Sequence, residues 1–302
     1  MMAQQLRICV FGGHGLLGRA LGRRAAVSGV PCRSLGRASA DLGQLPELRA
    51  VLARSDVNLV INAAAYTDVD GAELDAATAF AVNRDGAANL AVACAEIGLP
   101  LLHLSTDYVF GETPGRPCRE ADGTDPLGIY GASKLAGEIA VRRAHPDATI
   151  IRTAWLYDPA AAGFVRTVLR LAMQRDALSV VTDQRGSPTH VDDLADGLLA
   201  FARRRIRAGT PQAGLYHLSG SSGVSRQQWI AALLGELAAC TGRRVSLEAA
   251  PAKVIPRPAR RPADSTLDCQ LIQRDHGIRL PGFAERIGST VRGCLATLPM
   301  LA

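Results

Sequence analysis

Tyr130 and Lys134 stand one helical turn apart in the segment IYGASKLAGE, a spacing that puts both side chains on one face of a helix. A phenol beside an ammonium is a tunable acid. The positive charge favours the phenolate and pulls its pKa down from about 10, toward a range where it can protonate a carbonyl oxygen. Ser105-Thr106-Asp107 closes an apolar run, and a Thr106 hydroxyl at that strand end can hydrogen-bond the same oxygen. YxxxK also occurs by chance, so the Ser/Thr strand end is what gives the pair weight.

Gly12, Gly15 and Gly18 form GxxGxxG between the run LRICVF and the amphipathic segment 16–27. The first glycine permits a tight turn, the second lets backbone approach a pyrophosphate, and the third lets helix and strand pack closely. The helix N-terminus attracts the anion. The next strand ends Cys32-Arg33-Ser34-Leu35-Gly36-Arg37, without the carboxylate that would bind an adenosine 2′-hydroxyl. Arg37, with Arg33 beside it, is either a solvated surface arginine or a partner for a 2′-phosphate, and the second reading favours NADPH while leaving NADH open. Asn62 is followed by Ala63, Ala64 and Ala65, small side chains that leave room for a flat cofactor.

The elements that must position these residues read as an α/β fold, a Rossmann-type doubly wound parallel sheet with a smaller C-terminal α/β lobe. Strands are expected over 6–11, 31–35, 59–61, 101–104 and 148–153, with helices over 16–27, 45–54, 72–97, 131–143 and 191–203. The dinucleotide-binding domain is expected over 1–156 plus 189–207, and the substrate lobe over 157–188 plus 208–302. Pro251–Pro262 cannot be regular structure. The chain of 302 residues carries a formal charge of +6, spread along its length, so nucleic acid is not the expected partner. Seven cysteines without a CxxC pair indicate a reducing compartment and neither a disulfide framework nor a zinc site. No apolar run approaches the roughly 18 residues of a membrane span, and the N-terminus lacks a signal-peptide core, so a cytoplasmic protein is expected.

Glycine triplet, small-residue strand end, Ser/Thr strand end and YxxxK occur in the order found in the extended short-chain dehydrogenase/reductase superfamily. Within it, NAAAYTDVD at 62–70, STDYVF at 105–110, YGASKLAGE at 130–138, RTAWLY at 152–157, DQRGSPT at 183–189, LYHL at 215–218 and PARRPADSTL at 258–267 resemble the dTDP-4-dehydrorhamnose reductases. The resemblance implies reduction of the C4 keto group of a nucleotide-linked 4-keto-6-deoxyhexose by NADPH. Tyr130 would be proton donor, Lys134 its electrostatic partner and ribose holder, and Thr106 the carbonyl-orienting hydroxyl. It further implies cofactor contacts at Gly15, Leu16, Leu17, Asp41, Leu42, Ala65, Tyr66, Thr67 and Leu104, and substrate contacts at Thr106, Asp107 and Trp155.

By residue type alone, Trp155 is core or platform; the resemblance makes it a platform. Magnesium is doubted, because Ala20 stands where some members carry a glutamate at a dimer interface, and monomer and homodimer both stay open. The six histidines are read as structural or surface residues, and Asn83 as bonded within its helix in preference to a proton-relay role. Arg257, Arg260 and Arg261 are either a diphosphate clamp or an exposed charge run. A dehydratase is disfavoured because Tyr108 follows Thr106-Asp107 where that group usually has a glutamate. Another 4-keto-deoxysugar substrate, or a non-catalytic regulatory subunit of the same fold, is the alternative.

Overall fold

The central strands are unbroken apolar runs because both faces of their sheet are covered. In a computed structural model describing residues 5–112, 115–208, 213–250 and 257–298, β1 (Ile8–Phe11) sends Ile8 and Val10 into one core and Cys9 and Phe11 into the other. There follow α1 (Leu16–Val27), β2 (Cys32–Leu35), α2 (Leu45–Ala53), β3 (Leu59–Asn62), α3 (Val69–Leu74), α4 (Ala76–Phe80), α5 (Ala87–Glu96), β4 (Leu101–Thr106), α6 (Ile129–Ala144) and β5 (Thr149–Thr153). The helix expected over 72–97 is broken. Asp68 caps α3 through the Gly71 N–H, Asp75 restarts the chain as α4 through the Thr78 N–H, and residues 81–86 widen into a π-helical turn before α5.

The chain continues through β6 (Leu156–Tyr157), α7 (Phe164–Gln174), β7 (Ala177–Val181), β8 (Arg185–Gly186), β9 (Thr189–His190), α8 (Val191–Ala208), β10 (Gly214–His217), β11 (Val224–Ser225), α9 (Arg226–Thr241), β12 (Ser246–Ala250), α10 (Gln270–His276) and α11 (Phe283–Leu295). The main sheet is parallel throughout, in the order β10-β5-β4-β3-β1-β2. Its direction of winding reverses between β1 and β3, the place where such sheets open a crevice at their carboxyl ends. One face is covered by α1 and α8, the other by α2 and α5.

A second core is built from Tyr157, α7, β7, α9 and α11 around Trp229. The sequence placed all of 208–302 with this core, and the structure differs. β10 completes the main sheet beside β5, and Ile272, Ile278 and Leu280 join the core under α8, because the apolar face of α8 needs cover that α1 alone does not supply. Residues 257–262 are irregular as expected, whereas residues 251–256 of that Pro-rich stretch lie outside the described residues. Among the described residues no helix is long and apolar enough to cross a membrane.

Candidate active site

A cleft of about 1150 Å³ opens where the winding reverses, and it gathers nearly every residue singled out from the sequence. Gly12 has φ +80°, and a Cβ there would fall 2.5 Å from the Ala64 nitrogen, so the turn needs glycine twice over. A Cβ on Gly18 would sit 2.1 Å from the Gly12 oxygen; this residue lies behind the turn rather than in the cleft, and lets α1 start against it. Gly15 is the N-cap of α1, where no side chain caps the helix, and Gly15, Leu16 and Leu17 line the cleft. An uncapped helix end facing a cradle that any Cβ would fill suits a dinucleotide pyrophosphate. Gly13, which sequence reasoning passed over, is equally constrained: its Cβ would lie 2.8 Å from that of Ser34.

Ala63, Ala64, Ala65, Tyr66 and Thr67 form the facing wall, and Arg37, Asp41 and Leu42 the outer end. Asn83 is not bonded within its own helix. Its side chain accepts from the Tyr66 N–H at 2.9 Å and donates to the Tyr66 carbonyl at 3.1 Å and to Ser133 Oγ at 2.9 Å, so the π-helical turn turns it outward to hold the 66 loop against α6. Arg37 is exposed and paired with Asp41 at 3.2 Å, a contact that no motif announces. His14, expected to be structural or on the surface, lines the cleft and closes over Gly36: a Cβ on Gly36 would fall 2.4 Å from His14 Nδ1. A carboxylate side chain at position 36 therefore has no room unless His14 moves.

On the reactive side, α6 docks through two glycines. A Cβ on Gly131 would meet the Tyr108 carbonyl oxygen at 2.1 Å, and one on Gly137 the Asn83 oxygen at 2.1 Å. Glu73 accepts from the Ile129 N–H at 2.7 Å and so caps the helix. A buried bidentate pair, Arg152 to Glu138 at 2.8 and 2.7 Å, ties α6 to β5. This close docking brings Tyr130 edge-on to Tyr108, with ring centres 5.5 Å apart. Burial pushes the Tyr130 phenol well above its ordinary pKa, and the Thr106 hydroxyl facing it draws the value back. Lys134 was expected to do the tuning. Its ammonium instead donates to the Leu104 carbonyl at 2.7 Å, and burial lowers its own pKa to about 8; the phenol stays protonated because it is dry.

Beyond Tyr130, Thr106 Oγ1 donates to Asp107 at 3.1 Å, and burial raises the Asp107 carboxyl to about 6. Trp155 lines the cleft and also belongs to the second core, its ring centre 5.8 Å from that of Trp229. Its φ of +43° is the sole positive value for a non-glycine among the described residues, and the indole lies so close over Gly186 that a Cβ there would come within 2.2 Å of it. Phe164, Arg226 and Trp229 also line this side, and the sequence offered no motif for them. Of Arg257, Arg260 and Arg261, the first two are exposed, and Arg261 is engaged with Asp70 at 2.8 and 3.1 Å. Ala20 is fully buried. Among the described residues no group of three or more His, Cys, Asp or Glu is placed to hold a metal ion.

Residues 6–295 match the family described as RmlD substrate binding domain. A dTDP-4-dehydrorhamnose reductase of Sinorhizobium fredii is 40% identical over 281 residues, 93% of this chain and 95% of that protein. The crystal structure of a dTDP-4-dehydrorhamnose reductase from Clostridium acetobutylicum superposes with a TM-score of 0.87 at 30% identity, covering 97% of this chain and 100% of that one. That of the Bacillus anthracis enzyme, solved in complex with NADP, gives 0.86 at 29% identity, over 95% and 99% of the two chains. Fold, cleft and sequence agree, and the chain belongs to the dTDP-4-dehydrorhamnose reductase family.

Proposed function

We propose that this chain reduces the C4 keto group of dTDP-4-dehydrorhamnose to give dTDP-L-rhamnose, with NADPH as reductant. The observation that carries the reading is the convergence of Tyr130, Thr106 and Lys134 on one cleft with the glycine turn and the Ala63–Ala65 wall, in a chain of this family. Gly12, Gly15, Leu16 and Leu17 would hold the cofactor's pyrophosphate, with Gly18 supporting the turn from behind. Arg37, Asp41 and Leu42 would hold its adenosine end, and Ala63 to Thr67 with Leu104 the remainder. The chemistry a reduced nicotinamide supplies when bound there is hydride.

What the protein adds is position and a proton. Tyr130, kept protonated by burial, gives its proton to the oxygen at C4 as negative charge develops there, while the Thr106 hydroxyl fixes that oxygen. Lys134, below its pKa of about 8, is a cation at neutral pH; it holds the ribose and stabilises the phenolate left behind. Asp107 and Trp155 orient the sugar. The division of labour belongs to the same proposal: the first domain, 1–156 plus 189–207, serves the cofactor, and residues 157–188 with much of 208–302 serve the nucleotide-sugar. Seven free cysteines support a cytoplasmic setting.

The test follows NADPH oxidation with the purified chain and dTDP-4-dehydrorhamnose made in situ from dTDP-glucose by a 4,6-dehydratase and an epimerase. Consumption that requires both auxiliary enzymes and yields dTDP-L-rhamnose is the expected outcome. NADPH that binds and is never consumed would move the assignment to another keto-sugar.

A further inference from the structure

Arg226 is the first residue of α9, and its backbone is fixed twice: its N–H donates to the Gln184 carbonyl at 2.8 Å, and the preceding Ser225 pairs with Arg185 between β11 and β8. The helix start needs nothing from it, since Ser225 and Gln228 already form a capping box. Its guanidinium carbon lies 3.7 Å from the ring centre of Trp155, 4.5 Å from that of Phe164 and 5.9 Å from that of Trp229. The rings hold the charge on the cleft wall.

That charge has no anionic partner among the described residues. None of the described residues forms an ion pair or hydrogen bond with the Arg226 guanidinium, whereas Arg261 is matched to Asp70 and Arg185 to Asp264. Asp107 acts on it only at longer range, Arg257 and Arg261 add like charge, and burial depresses its pKa to about 10. A half-buried cation without a counter-ion is costly in a folded protein, and an aromatic-walled cleft would strengthen its attraction to an arriving anion. The guanidinium fork suits phosphate oxygens, which it can take two at a time.

We infer that Arg226, seated on Trp155 and Phe164, is the residue that binds the diphosphate of the nucleotide-sugar, an anion site separate from the glycine turn of α1. The assignment rests on the proposed reduction for its choice of ligand, since Trp155 and Asp107 are there the sugar's neighbours. Arg226 thus takes the part for which Arg261 is unavailable.

Calorimetric titration of the full chain, saturated with NADP, with dTDP and separately with thymidine tests this directly. Arg226→Met keeps the stem on the rings and removes the charge. It is expected to weaken dTDP by about 10- to 100-fold, to leave thymidine and NADPH within twofold, and to raise KM with kcat little changed. Arg226→Lys should recover part of the dTDP affinity. Unchanged dTDP affinity in Arg226→Met, or equal losses for dTDP and thymidine, would overturn the assignment, as would wild-type protein that does not bind dTDP. The two readings fail separately: a wild-type chain that reduces no dTDP-linked keto-sugar yet binds dTDP through Arg226 refutes the reduction alone. Turnover with an unmoved KM in Arg226→Met refutes the diphosphate site alone.

Discussion

The two halves of the cleft are built on different principles. The half proposed for the cofactor is made of what is missing: Gly12, Gly13, Gly18 and Ala63 to Ala65 let backbone come within a few ångströms of backbone, so that a ligand there would meet peptide groups. The half proposed for the substrate is crowded with large and charged side chains, Asp107, Trp155, Phe164, Arg226 and Trp229, held by one another. Backbone approach dictates residue type locally, so it leaves a contiguous signature. A side-chain cage can be assembled from distant segments, and leaves none.

The largest effect separating the halves should come from the group between them. Tyr130→Phe is expected to lower turnover by about two to four orders of magnitude while NADPH affinity, read by fluorescence titration, stays within a few-fold. A parallel collapse of cofactor binding would mean that the phenol serves the cofactor half instead.

Next come two glycines with opposite readouts. Gly18→Ala forces a Cβ against the Gly12 oxygen at 2.1 Å, an overpacking expected to cost roughly 1–3 kcal/mol and to weaken NADPH above all. Gly186→Ala pushes on the Trp155 indole; it should raise KM for the nucleotide-sugar by about 10-fold or more and spare NADPH. If both variants moved the same constant, the separation would be broken.

Stability sharpens the contrast further. Asp107 has its carboxyl raised from 3.8 to about 6 by burial, so the folded state binds this proton more readily than the unfolded chain. Its contribution is therefore most favourable below about pH 4 and is lost as pH rises through 6. Asp107→Asn should stabilise the protein at pH 8 by on the order of 2 kcal/mol, with the gain in Tm vanishing toward pH 4, while substrate turnover falls. A variant no more stable than wild type at pH 8 would show that the buried charge is already compensated. The smallest change is expected at the rim, where Arg37 is exposed and shared with Asp41: Arg37→Ala should reduce the NADPH-over-NADH ratio of kcat/KM by about fivefold, and an unchanged ratio would take Arg37 out of cofactor choice.

Legibility followed the same division. The α/β rhythm, the strand ends at Asn62 and Thr106 and the helix of Tyr130 could be read because apolar runs and small residues report local backbone demands. The break at Asp75 was visible only as a residue type that also occurs inside helices, and the π-helical turn around Asn83 answers to Tyr66, seventeen positions away. His14 and Arg226 carried no motif; each acquires meaning from a residue remote in sequence, Gly36 in one case and Trp155 in the other. Lys134 was located correctly on α6 but not its partner, because the nearest acceptor is a backbone carbonyl of β4.

The strand order bears on how the chain comes to be made. β5 finishes at Thr153, yet β10, which covers its open edge, begins only at Gly214. At synthesis rates of roughly 5–20 residues per second, that edge stands unpaired for several seconds on each ribosome, offering free N–H and C=O groups to any other nascent strand. Yield of folded protein should therefore respond to chaperone supply and to growth temperature in ways that the specific activity of the finished molecule does not.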